Sequence, residues 1–484
     1  MKNKFILFLS FALLALTACN NDDDTVEQTT VALEAPSINL STESATTPVV
    51  IKFDKPTSEA GLLTLTFTTT GVNYGIDFTT SPAATTSTTS KVVASTSNTL
   101  KIPFEKNAIS VTFIFNKLID AIEGEVKNVT FKITDASGNI QIAANNSIQV
   151  SFNETPSLGN ALAPEVGGPN EPNQVFVDLS TGMMTNTLRT SWDLGFYTGT
   201  EFRVIINSTV RMAAKQLETT NIDEVQAADD TMLINQGQGI ASQIDDVTGD
   251  ITKTAIAEVS ATDSENKVYL INMGSNPATT TPTVGKEGAG GGTSRGWMKI
   301  RILRSGAGYK IQYATIDATT HNEATISKDA AYNFTFFSLL DQKTVTVEPQ
   351  KAKWDLSFTS FTNTTSMGGP LVPYFYPDFI LNNLKGEAKT YQVLTSEFTY
   401  DNFTLANVDN AKFTNDQRNI GSNWRSTVGG TNANGEPISG FAIKLDRFFV
   451  VKDPAGNLYK VKFTSGLSDT GERGYPKFQY AILK

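Results

Sequence analysis

Trp192-Asp193-Leu194-Gly195-Phe196 recurs 162 residues later as Trp354-Asp355-Leu356-Ser357-Phe358. In extended backbone successive side chains point to opposite faces, so each run sends Trp, Leu and Phe one way and Asp the other. The aromatic face of such a strand anchors a core, which makes both tryptophans packing residues first and ligand contacts second. The neighbourhood repeats as well. Gln174-Val175-Phe176-Val177-Asp178-Leu179-Ser180 precedes the first run and Asn333-Phe334-Thr335-Phe336-Phe337-Ser338 the second; Tyr309-Lys310-Ile311-Gln312-Tyr313-Ala314 is answered by Lys477-Phe478-Gln479-Tyr480-Ala481. Trp192 stands 121 residues before Tyr313, and Trp354 stands 126 before Tyr480. Matched motifs at matched spacing imply two ancestral copies of about 150 residues each. The copies are placed at 173–317 and 333–484, joined by a connector at 318–332.

Outside the repeats the pattern is the same in kind. Short alternating runs bounded by Gly, Asn, Asp, Pro or Thr recur, among them Leu62-Leu63-Thr64-Leu65-Thr66-Phe67 and Val111-Thr112-Phe113-Ile114-Phe115. No helical periodicity is sustained, so the fold class is all-β. The Pro- and Gly-rich stretch 154–172 reads as a linker, which makes 30–153 a separate β-sandwich. Gly288-Ala289-Gly290-Gly291-Gly292 lacks the spacing of a phosphate-binding loop and reads as a flexible insertion in the first copy.

Composition removes several function classes. Of 484 residues, 39 are Lys or Arg and 49 Asp or Glu, a net charge of −10 without a basic stripe to track phosphates, so no nucleic acid is expected as a partner. One cysteine excludes a disulfide framework, and one histidine leaves triad chemistry to His321 alone. No paired carboxylates stand at a recognisable site. A binding protein is expected rather than an enzyme.

The N-terminus sets the compartment. Lys2 and Lys4 precede the apolar run Phe5 to Leu16, which is too short to span a bilayer. Leu16-Thr17-Ala18-Cys19 resembles a lipobox, so 1–18 is expected to be a lipoprotein signal peptide and Cys19 the lipidated residue. The acidic tether 19–29, with Asn20-Asn21-Asp22-Asp23-Asp24, resembles the export signal of surface lipoproteins. These resemblances imply an outer-membrane protein facing the cell exterior, attached through a lipid anchor only.

Gly71-Val72-Asn73-Tyr74-Gly75-Ile76-Asp77-Phe78, the Ile109 to Ile114 run and Val129-Thr130-Phe131-Lys132-Ile133 resemble the Calx-beta pattern; an Ig-like sandwich is the alternative. In Calx-beta modules loop carboxylates can hold calcium, an oxygen-seeking cation, and Asp77, Asp120, Glu123 and Glu125 are the positions that would do so here. Solvated turn residues are the other reading. The domain is expected to act as a spacer.

Asp178-Leu179-Ser180-Thr181-Gly182, both Trp-Asp motifs and the run from Asp446-Arg447-Phe448 to Lys462-Phe463 resemble the HmuY family of haem-binding surface lipoproteins. The resemblance implies a duplicated all-β fold that grips haem taken from haem-carrying proteins and passes it to a TonB-dependent outer-membrane receptor. Haem iron needs a lone-pair donor in an apolar slot. The histidine pair used by familiar members is absent here, and Arg425-Ser426-Thr427-Val428-Gly429-Gly430 supplies no replacement. Met232 and Met367, in loop-like contexts, and His321 in the connector are the axial candidates; gap-filling methionines and a hydrogen-bonded linker histidine are the alternatives. Phe334, Phe336 and Phe337, and Tyr374-Phe375-Tyr376, could wall a haem, stack on sugar rings or fill a core. The expected function is haem capture for iron acquisition; the alternative is an adhesin or glycan-binding lipoprotein.

Overall fold

The computed structural model of the chain describes residues 28–40, 46–87, 97–119, 126–152, 158–234, 238–280, 291–366, 368–431 and 437–484. The described residues are strands, turns and short 3-10 helices, with no α-helix among them. They form two compact units, one running to Phe152 and the other from Leu158 to Lys484.

The first unit is a two-sheet sandwich of five and six strands. Its strands carry the alternation read from the sequence: Gly61–Thr70 and Ser110–Lys117 bury every second residue. Both sheets turn these residues inward onto one core, in which Phe78 stacks on Phe115 at 5.0 Å and Phe113 tilts against Phe131 at 4.9 Å. Burying large aromatic side chains from both faces is what holds the two layers together.

The second unit is all antiparallel. One five-stranded sheet belongs to the first repeat and runs Ala213–Gln216, Val268–Asn272, Trp297–Ser305, Gly308–Thr315, Asn322–Ile326. Another belongs to the second repeat, where Lys389–Leu394, Arg447–Lys452, Leu458–Leu467 and Arg473–Ile482 are joined at the edge by Gly159–Leu162. Two expectations change here. Part of the presumed linker is a strand, in register from Gly159 opposite Ala481 to Leu162 opposite Phe478. Part of the presumed connector, Asn322–Ile326, completes the first repeat's sheet. Gly and Pro marked the first of these segments as a loop, but pairing with an open sheet edge overrode that local signal. Glu171, also in the presumed linker, is buried. It accepts hydrogen bonds from the Asp378 amide at 2.7 Å and the Ser360 hydroxyl at 2.6 Å, and burial together with the nearby Asp378 charge pushes its carboxyl up to about 8.

Between these sheets the repeats exchange strands. Asn173–Val177, which opens the first repeat, pairs not with its own Trp-Asp strand but with Leu356–Ser366 of the second, Val175 opposite Phe358 and Val177 opposite Leu356. Phe334–Ser338, which opens the second repeat, pairs with Leu194–Tyr197 of the first, Leu194 opposite Phe337 and Tyr197 opposite Phe334. The two crossings are counterparts, and the Trp-Asp motif secures both. The Asp193 carboxylate accepts the Leu339 amide at 2.7 Å, and the Asp355 carboxylate accepts the Leu179 amide at 2.7 Å. Trp192 meets Phe336 edge-on at 4.8 Å, and Trp354 meets Phe176 edge-on at 4.9 Å. Asn207 and Asn383 repeat the pattern once more, each donating to the tryptophan carbonyl of its own repeat at 2.8 Å. The Asp face of the motif is therefore buried too, and Asp193 is ion-paired to the equally buried Arg295 at 2.7 Å.

Candidate functional site

A cleft opens where the exchanged strands meet. It encloses about 140 Å³, within about 1040 Å³ of empty space when the open mouth is included. Phe176 and Trp192 from the first repeat and Phe334, Phe336 and Trp354 from the second supply aromatic walls. These rings are there because the Trp-Asp runs and the opening strands put their apolar faces toward the junction, where Phe176, Trp192, Phe336, Val347 and Trp354 form one buried cluster.

The polar groups of the cleft are unevenly satisfied. The Nε1 atoms of Trp192 and Trp354 and the Oε1 atom of Gln174 are buried with no hydrogen-bond partner among the described residues. All three side chains line the cleft, and their residues are 4%, 8% and 7% exposed. Gln174 spends its amide nitrogen on the Ser357 hydroxyl at 3.1 Å, which leaves its oxygen facing no donor. Buried polar atoms are normally paired, because an unmade bond in low dielectric is costly.

Four carboxylates and one lysine line the same space. Glu348 accepts the amides of Asn333 at 2.8 Å and Phe334 at 3.0 Å, yet burial outweighs those bonds and pushes its carboxyl up to about 8. Asp245 accepts the amides of Ile206 and Ala255 at 2.8 Å each, yet burial of its carboxyl pushes it up to about 7. Asp246 caps the Thr248 turn, and Asp250 is held well below the usual carboxylate range by Lys253 and Thr252. Burial lowers Lys385.

Haem does not fit this cleft. The enclosed volume is close to that of an engineered cavity that holds a single benzene, about 150 Å³. Its lining contains no histidine, cysteine or tyrosine, Met212 is its one thioether, and Lys385 is its one cation for the two propionates of a porphyrin.

The residues singled out from the sequence are scattered. Met232 is not an exposed loop residue: it is fully buried with Ala213, Ile234, Ile244 and Leu270, and it does not line the cleft. Its polar neighbours Asp229, Asp230 and Thr231 suggested exposure, but the side chain turns in while Asp229 pairs outward with Lys215 at 2.6 Å. His321 bridges Asp223 at 2.9 Å and Glu323 at 3.8 Å, away from the cleft lining. Asp77 accepts the Asn73 amide at 2.7 Å and closes a turn in the sandwich. Cys19, Asp120, Glu123, Glu125 and Met367 lie outside the described residues. No group of three His, Cys, Asp or Glu is placed to hold a metal among the described residues. Phe334 and Phe336 do wall the cleft, whereas Phe337 packs in the first repeat's core and Phe375 lies beneath the Arg211 guanidinium at 4.3 Å. Gln174 and Glu348 were missed. Glu348 did carry a signal, a lone carboxylate ending the alternation Val345-Thr346-Val347.

No curated protein matches the chain. Among solved structures, the apo Calx CBD1 domain is similar at 10% identity, covering 26% of this chain and 98% of its own, with a TM-score of 0.20. An HmuY-like haem-binding protein of Bacteroides vulgatus is 9% identical, covering 67% of this chain and 91% of its own, TM-score 0.18. The apo HmuY analogue of Tannerella forsythia is 16% identical over 36% of this chain and 88% of its own, TM-score 0.16. The family model for HmuY protein matches residues 170–326 and again 330–480, one match for each repeat. Those segments make up more than half of the chain, and it belongs to the HmuY family.

Proposed function

We propose that the protein is a lipid-anchored capture protein on the outer face of the outer membrane, that haem or a haem-carrying protein is its target, and that a TonB-dependent receptor takes the cargo onward. The observation that carries this reading is the HmuY match, which covers both repeats in full sequence order. The sandwich then serves as a spacer between the anchor at Cys19 and the binding unit. Because the interior cleft does not suit a porphyrin, the haem seat belongs on an outer face. Met183 and Met184, 58% and 39% exposed beside the strand edge Met184–Leu188, offer thioethers within reach of an iron atom arriving from solvent. Thioether is among the donors that hold haem iron.

Haem titration of the full chain in detergent tests this. Saturable binding at micromolar haem with a shifted Soret band is expected. Replacing both exposed methionines, Met183→Ala with Met184→Ala, is expected to change that band, whereas Met232→Ala, in the core, leaves it as in the wild type. Absence of any spectral change at micromolar haem overturns the reading.

A further inference from the structure

We propose that the sheet edge Met184–Leu188 is a dimerisation edge, and that its occupant is the same edge of a second copy of this chain, paired antiparallel about a twofold axis at Asn186. The strand is the outer one of its four-stranded sheet and is bonded to Asn173–Val177 on one side only. The Met183 carbonyl accepts the Asp178 amide, and the Arg189 amide donates to the Pro172 carbonyl. Those two bonds fix the phase of the ladder: Thr185 and Thr187 bond inward, while Met184, Asn186 and Leu188 turn their backbone groups outward. Ser191 takes the Leu188 carbonyl. The Leu188 amide and both backbone groups of Met184 and Asn186 meet no protein partner among the described residues. Met184, Thr185, Asn186 and Leu188 are all exposed, so the edge stands open.

Open edges are normally guarded by charge, proline or short length, because they template pairing with another chain. The counterpart of this strand in the second repeat, Lys343–Val345, is three residues long and carries the exposed Lys343, paired with Asp341 at 3.8 Å. The far edge of the same sheet, Leu371–Asn382, carries Pro373 and Pro377. Met183 to Leu188 holds neither charge nor proline. Two bodies of net charge −10 repel unless they meet on such a neutral surface. The sequence then selects the second copy. Thr185-Asn186-Thr187 reads the same in both directions, so an antiparallel mate sets Asn186 against Asn186, Thr185 against Thr187, and the exposed Met184 against the exposed Leu188. The outward backbone groups agree with that register. The two Asn186 residues exchange both of their bonds, and each Leu188 amide meets the Met184 carbonyl of the other copy. An unlike strand satisfies the backbone but gains nothing from the Thr-Asn-Thr symmetry.

Sedimentation of the full, haem-free chain in detergent, from micromolar to submillimolar concentration, provides the test. A monomer–dimer equilibrium is expected. Asn186→Lys and Asn186→Asp each set like charges against one another at the axis, and each is expected to weaken dimerisation about fivefold. An equal mixture of the two variants pairs opposite charges and is expected to recover at least the wild-type strength. Cysteine pairing reads the register. Asn186→Cys is expected to form an intermolecular disulfide under mild oxidation. Met184→Cys and Leu188→Cys, each about 14 Å from its own symmetry mate, are expected to form none alone and to link to each other when mixed. The wild type, whose one cysteine is Cys19, sets the background. A monomer at every concentration overturns the proposal, as does a dimer indifferent to both charge variants, or cysteine links in any other register. The dimer is scored without haem and haem capture by the Soret band of the wild type, so either proposal can fall without the other.

Discussion

Asp193→Ala should unfasten one of the two strand exchanges, and its cost can be worked from the contacts it removes. The carboxylate accepts the Leu339 amide of the other repeat and neutralises Arg295, whose side chain is 1% exposed. Removing one member of a buried ion pair costs about 3–5 kcal/mol, because the survivor keeps its desolvation penalty without its partner. The unmet Leu339 amide adds about 1–3 kcal/mol, and since both losses act at one site a total near 5 kcal/mol is the working figure. All four tryptophans, at 192, 297, 354 and 424, lie in the second unit, so their fluorescence follows urea unfolding of that unit alone. With a urea dependence of about 3 kcal/mol/M or more for a body this large, the midpoint should fall by roughly 1–2 M. Arg295→Met removes the charge that Asp193→Ala strands. The double variant should therefore be clearly more stable than the two single costs added together predict. The wild type should unfold in one transition, since neither repeat can leave without pulling a strand from the other. A midpoint shift below about 0.3 M, additive costs, or two separate transitions would refute the view that these contacts lock the repeats together.

Glu348 is ordinary when unfolded and pushed up to about 8 when folded, so the folded state holds its proton where the unfolded chain has lost it. Its contribution is fully present below about pH 4.5 and drains away as pH rises to about 8, at no more than about 1.4 kcal/mol per pH unit. Urea midpoints at pH 5 and pH 8 should fall with pH in the wild type and fall less in Glu348→Gln; identical slopes would count against a buried neutral Glu348. Cys19→Ala should move the protein from the membrane fraction to the soluble fraction and abolish incorporation of labelled fatty acid, and retention in the membrane would rule out the lipid anchor. Asp77→Ala should lower the sandwich's melting temperature through loss of the Asn73 turn bond, worth about 1 kcal/mol, by the same amount with calcium or with chelator. A cost that appears only with calcium would restore Asp77 as a cation ligand.

The all-β class, the sandwich and the duplication were legible because each rests on local pattern. Alternation declares a strand wherever one face is buried, as in Gly61–Thr70, and two Trp-Asp runs at matched spacing declare a repeat. What the pattern could not state was which strand pairs with which. Asn173–Val177 has the same alternation whether it pairs with Leu194–Tyr197 or with Leu356–Ser366, so the exchange is invisible until the register is seen. Polar flanks also misled. Asp229-Asp230-Thr231 made Met232 look exposed, and the Pro-Gly run around Gly159 hid an edge strand, because in both places tertiary contacts decided what local composition left open.

Strand exchange also explains why the cleft lies where it does. A repeat that paired its own opening hairpin with its own Trp-Asp strand would bury Trp192 against Phe176 and close on itself. Exchanged, Trp192 meets Phe336 and Trp354 meets Phe176, so the four rings gather at one junction instead of two. Two rings from each side, brought to one place by near-equivalent contacts, leave a gap that neither repeat fills alone. The two copies are not identical there. Opposing Gln174 the second repeat has Phe334, and Glu348 occupies the place taken by Leu188 in the first, judged by the paired registers of the two hairpins. The aromatic frame is thus shared by both copies, while the polar side chains Gln174 and Glu348 are each supplied by one. Duplication built the walls, and divergence of single positions after it is what gives the cleft a direction.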